Sequence, residues 1–144
     1  TWAIRNTYTG ATSPTDLVGY TEPVNGLKYV CACVGDTGAI YGGTTSISTA
    51  EKTDASIWWE AFIILDGCLH CIGTKFSPTV KGVLYRRNVV SDGAGGWVVS
   101  WVKVADSSNI TAWRHLVGSN GFTYFASLMD DCVYRISKLN HVLT

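Results

Sequence analysis

Residues 82–104 read GVLYRRNVVSDGAGGWVVSWVKV. Apolar side chains run up to and away from SDGAGG at 91–96, where Asp-Gly is followed by glycines that tolerate positive φ. Two alternating strands around such a turn predict a β-hairpin. One strand is expected to end near Arg87 and the other to start near Trp97. Successive strand side chains point to opposite faces. Trp97, Val99, Trp101 and Lys103 therefore share one face, and Val98, Ser100 and Val102 the other. Two indoles on one face suit either a sugar-stacking platform or the interior of a small domain, since each aromatic buries about 150–250 Å². Trp101 reads as the more structural of the two, because Trp2 precedes Leu17 by the interval that separates Trp101 from Leu116.

The same hairpin grammar recurs elsewhere in the chain. WRHLVGSNGFTYF from 113 aligns without gaps on WEAFIILDGCLHC from 59, placing Asn120-Gly121 on Asp66-Gly67. DLVGYTEPVNGLKYVCACV, from 16, carries Asn25-Gly26 at a comparable point after a longer loop. Tyr41, Tyr85 and Tyr134 close the three stretches in GAIYGG, GVLYRR and DCVYRI. The expected organisation is three related β units over 1–45, 46–100 and 101–144. Units so small cannot bury enough surface alone and must pack on one another or on other copies. The fold class expected is all-β: three small repeated antiparallel hairpin units packed together, with little or no helix. TAEKTDASIWWEAF at 49–62 offers one short helix at most, and reads better as a loop leading into a strand.

Composition supports strands and excludes several partners. The 144-residue chain is 47% hydrophobic and 15% charged, with 11 basic against 11 acidic side chains. Zero net charge with few Lys and Arg leaves no electrostatic footprint for nucleic acid and no polybasic run for an anionic membrane. No apolar stretch approaches the roughly 20 residues of a spanning helix, so no membrane insertion is expected. TWAIRN, at the start, lacks the regions of a signal peptide and an initiator Met, which fits a mature product or a fragment of something longer.

Cys31, Cys33, Cys68, Cys71 and Cys132 are odd in number, so one at least stays unpaired within a monomer. CAC and CLHC suggest zinc, with His70 as a further ligand. The internal alignment argues instead for core positions. Cys71 falls where the other units have Val30 and Phe125, and Cys132 where they have Ala39 and Val83. Without a complete disulfide framework, assembly in a reducing cytoplasm is expected.

The stretch 82–104 resembles the end of knob modules in bacteriophage tail fibres and R-type pyocin fibres. Tyr85, Arg86, Trp97, Trp101 and Lys103 carry the likeness: an aromatic followed by Arg, a Gly-rich turn, a spaced Trp pair, then apolar and basic residues in alternation. WWEAFIILDGCLHCIGTKF would be the module's central hairpin. The resemblance covers roughly 55–104. The first unit ends in YGGTTS without the Trp pair, and the third stops after YRISKLNHVLT. Such a likeness implies a homotrimeric, β-rich module on a virion or extracellular surface that binds cell-surface glycans without cofactors.

Catalytic patterns are missing. There is no G-x-S-x-G, H-E-x-x-H or phosphate-binding glycine loop. His70, His115 and His141 are scattered, and Asp66 and Asp92 sit beside glycines as turn formers. Asp130-Asp131 is too weak a pair to argue for a cation or for glycoside hydrolysis. No enzymatic activity is expected. The candidate ligand contacts are Trp58, Arg86, Arg87, Trp97, Trp113 and Arg114, with weak single contacts summed by multivalency. Each has a plainer reading as a core aromatic or a solvated strand-edge charge. Two alternatives stay open. One is a β-trefoil-type carbohydrate-binding lectin, against which the Q-x-W signature is absent. The other is a structural subunit of a virion, pilus or other filament, whose low charge would suit a surface buried by neighbours.

Overall fold

The computed structural model describes residues 13–107, together with the backbone of three later strands. In chain order the strands are β1 (Asp16–Thr21), β2 (Lys28–Val34), β3 (Ala39–Gly43), β4 (Ala50–Thr53), β5 (Ile57–Leu65), β6 (Cys68–Lys75), β7 (Lys81–Ser91), β8 (Trp97–Asp106), β9 (Trp113–Ser119), β10 (Phe122–Ser127) and β11 (Val133–Ser137). The protein is all-β, and no helix occurs among the described residues. Residues 49–62, where a short helix was conceivable, form β4, a turn and the start of β5.

Every pairing is antiparallel and joins neighbours in the chain. β1-β2-β3-β4 form one sheet, β5-β6-β7-β8 a second, and β11-β10-β9 a third. The first two are thus four-stranded meanders, where the sequence suggested hairpins. β4 pairs with β3, and β8 runs across residue 100.

Turn chemistry explains the meanders. Leu65 pairs with Cys68 around Asp66 (φ 51°) and Gly67 (φ 74°). Positive φ at both central residues matches the right-handed twist of the flanking strands. In the longer β1–β2 connection, the Asn25 side chain accepts from Leu27 N–H at 2.9 Å, and Gly26 takes φ 69°. Asn120-Gly121 lies outside the described residues. The hairpin at 82–104 forms as expected, but β7 continues past Arg87 to Ser91, which pairs with Trp97. Asp92 Oδ1 accepts from the amides of Ala94 and Gly96, both at 2.8 Å, and closes that turn.

The first two sheets pack face to face. β1 and β2 lie against β5, and β4 lies near β8, while β9 approaches β5 and β6. The interface between the first two sheets is a core of Tyr20, Cys31, Cys33, Ile40, Ile57, Trp59, Phe62, Leu69, Cys71, Val83 and Trp101. A second apolar cluster, Ala61, Ile63, Leu65, Ile72 and Leu84, occupies the opposite face of the second sheet.

Two register shifts make this division possible. Strict alternation would put Trp59 and Phe62 on opposite faces. A shift between Trp59 and Ala61 inserts one residue, so Phe62 joins Trp59 while Ala61, Ile63 and Leu65 turn to the other side. β1 satisfies the backbone of this irregular edge. Asp16 Oδ2 accepts from Phe62 N–H at 2.8 Å, and the Thr15 hydroxyl donates to the Trp59 carbonyl at 2.8 Å. A second shift, between Leu84 and Tyr85, similarly re-phases β8 against β7.

Candidate functional site

The interface between the sheets contains one charged cluster. Arg87 lies on the inner face of β7, in register with Trp101, and its side chain is fully buried. Its Nε donates to Glu51 Oε2 at 2.9 Å, Nη2 to Glu51 Oε1 at 2.6 Å, and Nη1 to Glu22 Oε2 at 3.1 Å. Glu22 Oε2 also accepts from the Tyr20 hydroxyl at 2.9 Å, and Glu51 Oε2 from Trp101 Nε1 at 3.0 Å. The guanidinium carbon sits 4.2 Å from the centre of the Tyr29 ring. Burial works against the guanidinium charge, but the paired Glu51 carboxylate more than offsets it and holds the Arg87 pKa above its ordinary value. Burial, reinforced by donation to Glu22, pushes the Tyr20 phenol well above the usual range. Gly42 leaves room for this arrangement, because a Cβ there would collide with the Glu51 carboxylate. The cluster binds sheet to sheet and is closed to solvent.

Farther along the same face of the second sheet the interface opens into a cleft of about 220 Å³. Lys75, Lys81 and Lys103 line it, with Ser77, Thr79, Val83, Tyr85 and Asp106. The β6–β7 connection supplies the two hydroxyls. Register supplies the rest: Lys75 pairs with Lys81, Tyr85 with Lys103, and Val83 with Asp106. Tyr85 is fixed from two directions. Trp59 meets its ring edge-on at 5.3 Å between centroids and 84°, and Lys52 Nζ lies 4.7 Å from the ring centre. Burial raises the Tyr85 phenol pKa. Lys103 Nζ donates to Asp106 Oδ2 at 2.9 Å, and this bond raises the lysine pKa and lowers that of the aspartate. The cleft thus offers ammonium and hydroxyl donors around an anchored aromatic ring, the chemistry of binding to oxygen-rich ligands.

A second, shallower hollow of about 360 Å³ lies at the ends of β1 and β2, lined by Gly19, Tyr20, Thr21, Lys28, Tyr29, Val30 and Thr44.

The candidate contacts read from sequence are not gathered in either hollow. The Trp58 indole packs where a Cβ on Gly35 would fall, in the turn after β2. Arg87 is committed to Glu22 and Glu51. Arg86, its neighbour on β7, faces the other way and is half-buried. Trp97 is 41% exposed at the start of β8, whereas Trp101 is 8% exposed. Trp113 and Arg114 open β9, opposite Ser127 and Ala126; their side chains lie outside the described residues. Sequence reasoning missed the cleft. Its only local signal was KFSPTVK at 75–81, two lysines bracketing a short polar turn.

Three of the described thiols are interior groups. Cys31, Cys33 and Cys71 are free and buried in the shared core, and Cys68 is free and half-buried; Cys132 lies outside the described residues. Burial pushes the Cys31 pKa up to about 12 and that of Cys71 well above its ordinary value. Among the described residues no three His, Cys, Asp or Glu side chains come together as a metal would need, and no helix is long and apolar enough to cross a membrane.

No family model matches the chain, and neither does any curated protein or solved structure.

Proposed function

We propose that this protein is a non-catalytic recognition module for cell-surface glycans, displayed in several copies on a virion or extracellular surface. The observation that carries this reading is the cleft at Lys75, Lys81, Lys103 and Tyr85. It is a preformed concavity whose aromatic ring is immobilised by Trp59 and Lys52. A saccharide suits such a site, with ordered ammonium and hydroxyl donors placed around the cleft for its hydroxyls. The ligand groups move from those read off the sequence to the cleft residues, because Arg87 is enclosed. A cleft of this size holds about one sugar unit and binds weakly alone, so function rests on repeated copies. The resemblance of 82–104 to tail-fibre knobs supports that display, with a homotrimer as the expected assembly.

A glycan array probed with the full chain, fluorescently labelled and cross-linked into multimers, tests the reading. Capture by a defined set of saccharides, lost in Thr79→Tyr where the new ring fills the cleft, is the expected result. Array signal unchanged in Thr79→Tyr would remove the cleft from the proposal.

One observation favours the filament reading as a second possibility. β8 ends the order of its sheet, and Val98 and Val102 on it are 51% and 46% exposed. An apolar edge strand is a template for pairing with another chain. Electron microscopy of the purified protein separates the two: polymers support the filament, discrete particles the recognition module.

A further inference from the structure

We infer that the cleft between Lys75 and Lys81 selects an acidic ligand: a hydroxylated unit carrying a carboxylate or phosphate. This deepens the proposed glycan recognition and rests on it for the ligand's carrier, although the anion site stands on its own geometry.

Lys75 and Lys81 occupy directly opposed positions on adjacent antiparallel strands. Like charges so placed destabilise a sheet, because their Cβ atoms are only about 4.5–5.5 Å apart. Among the described residues neither side chain forms an ion pair. Lys103 lines the same cleft, and Lys52 lies over the ring of Tyr85, which also lines it. The chain has six lysines, and three of them line one hollow of a protein with no net charge. That is a local field rather than a solvated basic surface. Two carboxylates border it and both are engaged. Asp106 accepts from Lys103. Asp54 accepts from the Ser56 hydroxyl at 2.6 Å and from its amide at 3.1 Å.

The opposed ammonium groups lie in the field of Asp54 and Asp106 but make no direct ion pair, and an oxyanion between them would replace repulsion with two charge-assisted hydrogen bonds. The Ser77 and Thr79 hydroxyls, on the loop joining these strands, suit the hydroxyl groups of the same ligand unit.

Titration calorimetry on the full chain with glucuronate, inorganic phosphate and glucose tests this. Glucuronate and phosphate should bind and compete for one site, weakening with added salt. Glucose should bind more weakly than glucuronate by roughly tenfold or more, the value of one charge-assisted bond. Lys75→Gln/Lys81→Gln should lose at least about tenfold in affinity for both anions, with a melting temperature equal to or above that of the parent. Equal anion affinity in the folded double variant, or no saturable anion binding by the parent, would overturn the inference. Array capture of neutral saccharides without anion binding leaves the glycan reading standing and removes the acidic ligand. Anion binding in the cleft with no saccharide captured does the reverse.

Discussion

Arg87 and Glu51 meet across the gap between the first two sheets in a two-pronged ion pair, at 2.6 and 2.9 Å. One comes from the seventh strand and the other from the fourth, so the bond exists only when both meanders are folded and docked. Glu22, Tyr20 and Trp101 complete it.

Removing Glu51 leaves the buried Arg87 with Glu22 as its remaining carboxylate, a loss at the lower end of the ~3–5 kcal/mol of a broken buried pair. Glu51→Gln should therefore lower stability by about that amount in urea unfolding. The double variant Glu51→Gln/Arg87→Met should be less destabilised than the sum of its parts, because both changes remove the same ion pair. A Glu51→Gln variant within about 0.5 kcal/mol of the parent would show that the pair contributes little.

The two tryptophans of 95–104 should behave differently. Trp101 is buried and donates to Glu51, so Trp101→Ala should cost about 3–5 kcal/mol. Trp97 is 41% exposed and caps an open hairpin end, and Trp97→Ala should cost about 1 kcal/mol or less. Thermal melts of both variants check this. Similar losses would mean that the pair works as one unit.

Asp16 serves the irregular edge of β5 through a single acceptor bond to Phe62 N–H. Asp16→Ala leaves that amide unpaired, at a cost of about 1–3 kcal/mol. Amide exchange at Phe62, followed by NMR, should accelerate by more than at Leu69, in the regular part of the sheet. Uniform acceleration would indicate global destabilisation only.

Asp54 contributes to the acid limb of stability. The Ser56 hydroxyl holds its pKa below the ordinary 3.8. A carboxyl depressed in the folded state contributes stability that is present above its unfolded pKa and lost as pH falls through its folded one. Asp54→Asn should therefore be less stable than the parent at neutral pH, and the gap should narrow below pH 3.8. Denaturation midpoints across that range test the sign; a constant gap would exclude it.

Thiol reactivity should follow burial. With Cys31 pushed to about 12 by burial, alkylation of native protein at mild alkaline pH should modify Cys68 before Cys31, Cys33 or Cys71. Peptide mass spectrometry reads the order. Early modification of Cys71 would mean that the sheet interface opens.

Much of the fold was written locally. Asp66-Gly67 and SDGAGG specify their turns because positive φ and side-chain acceptors act over two to five residues. The alternation of GGWVVSWVKV predicted which side chains share a face, and Trp101 lies inside as its position suggested. Where the prediction stopped, the cause was long range. Nothing near residue 60 signals an inserted residue, because the shift is selected by the neighbouring strand and stabilised by Thr15 and Asp16.

The candidate site was less legible than the fold. Arg87 reads as a surface cation because its carboxylates lie far away in the chain. Only docking of the sheets encloses it. The convergence of Lys75, Lys81 and Lys103 likewise depends on register. Strand, turn and face follow from local sequence, because torsional preference and side-chain period act within a few residues. Which charges are buried, which are opposed and where a hollow remains were decided by tertiary structure alone, because those are energies of contact between residues that the chain keeps apart.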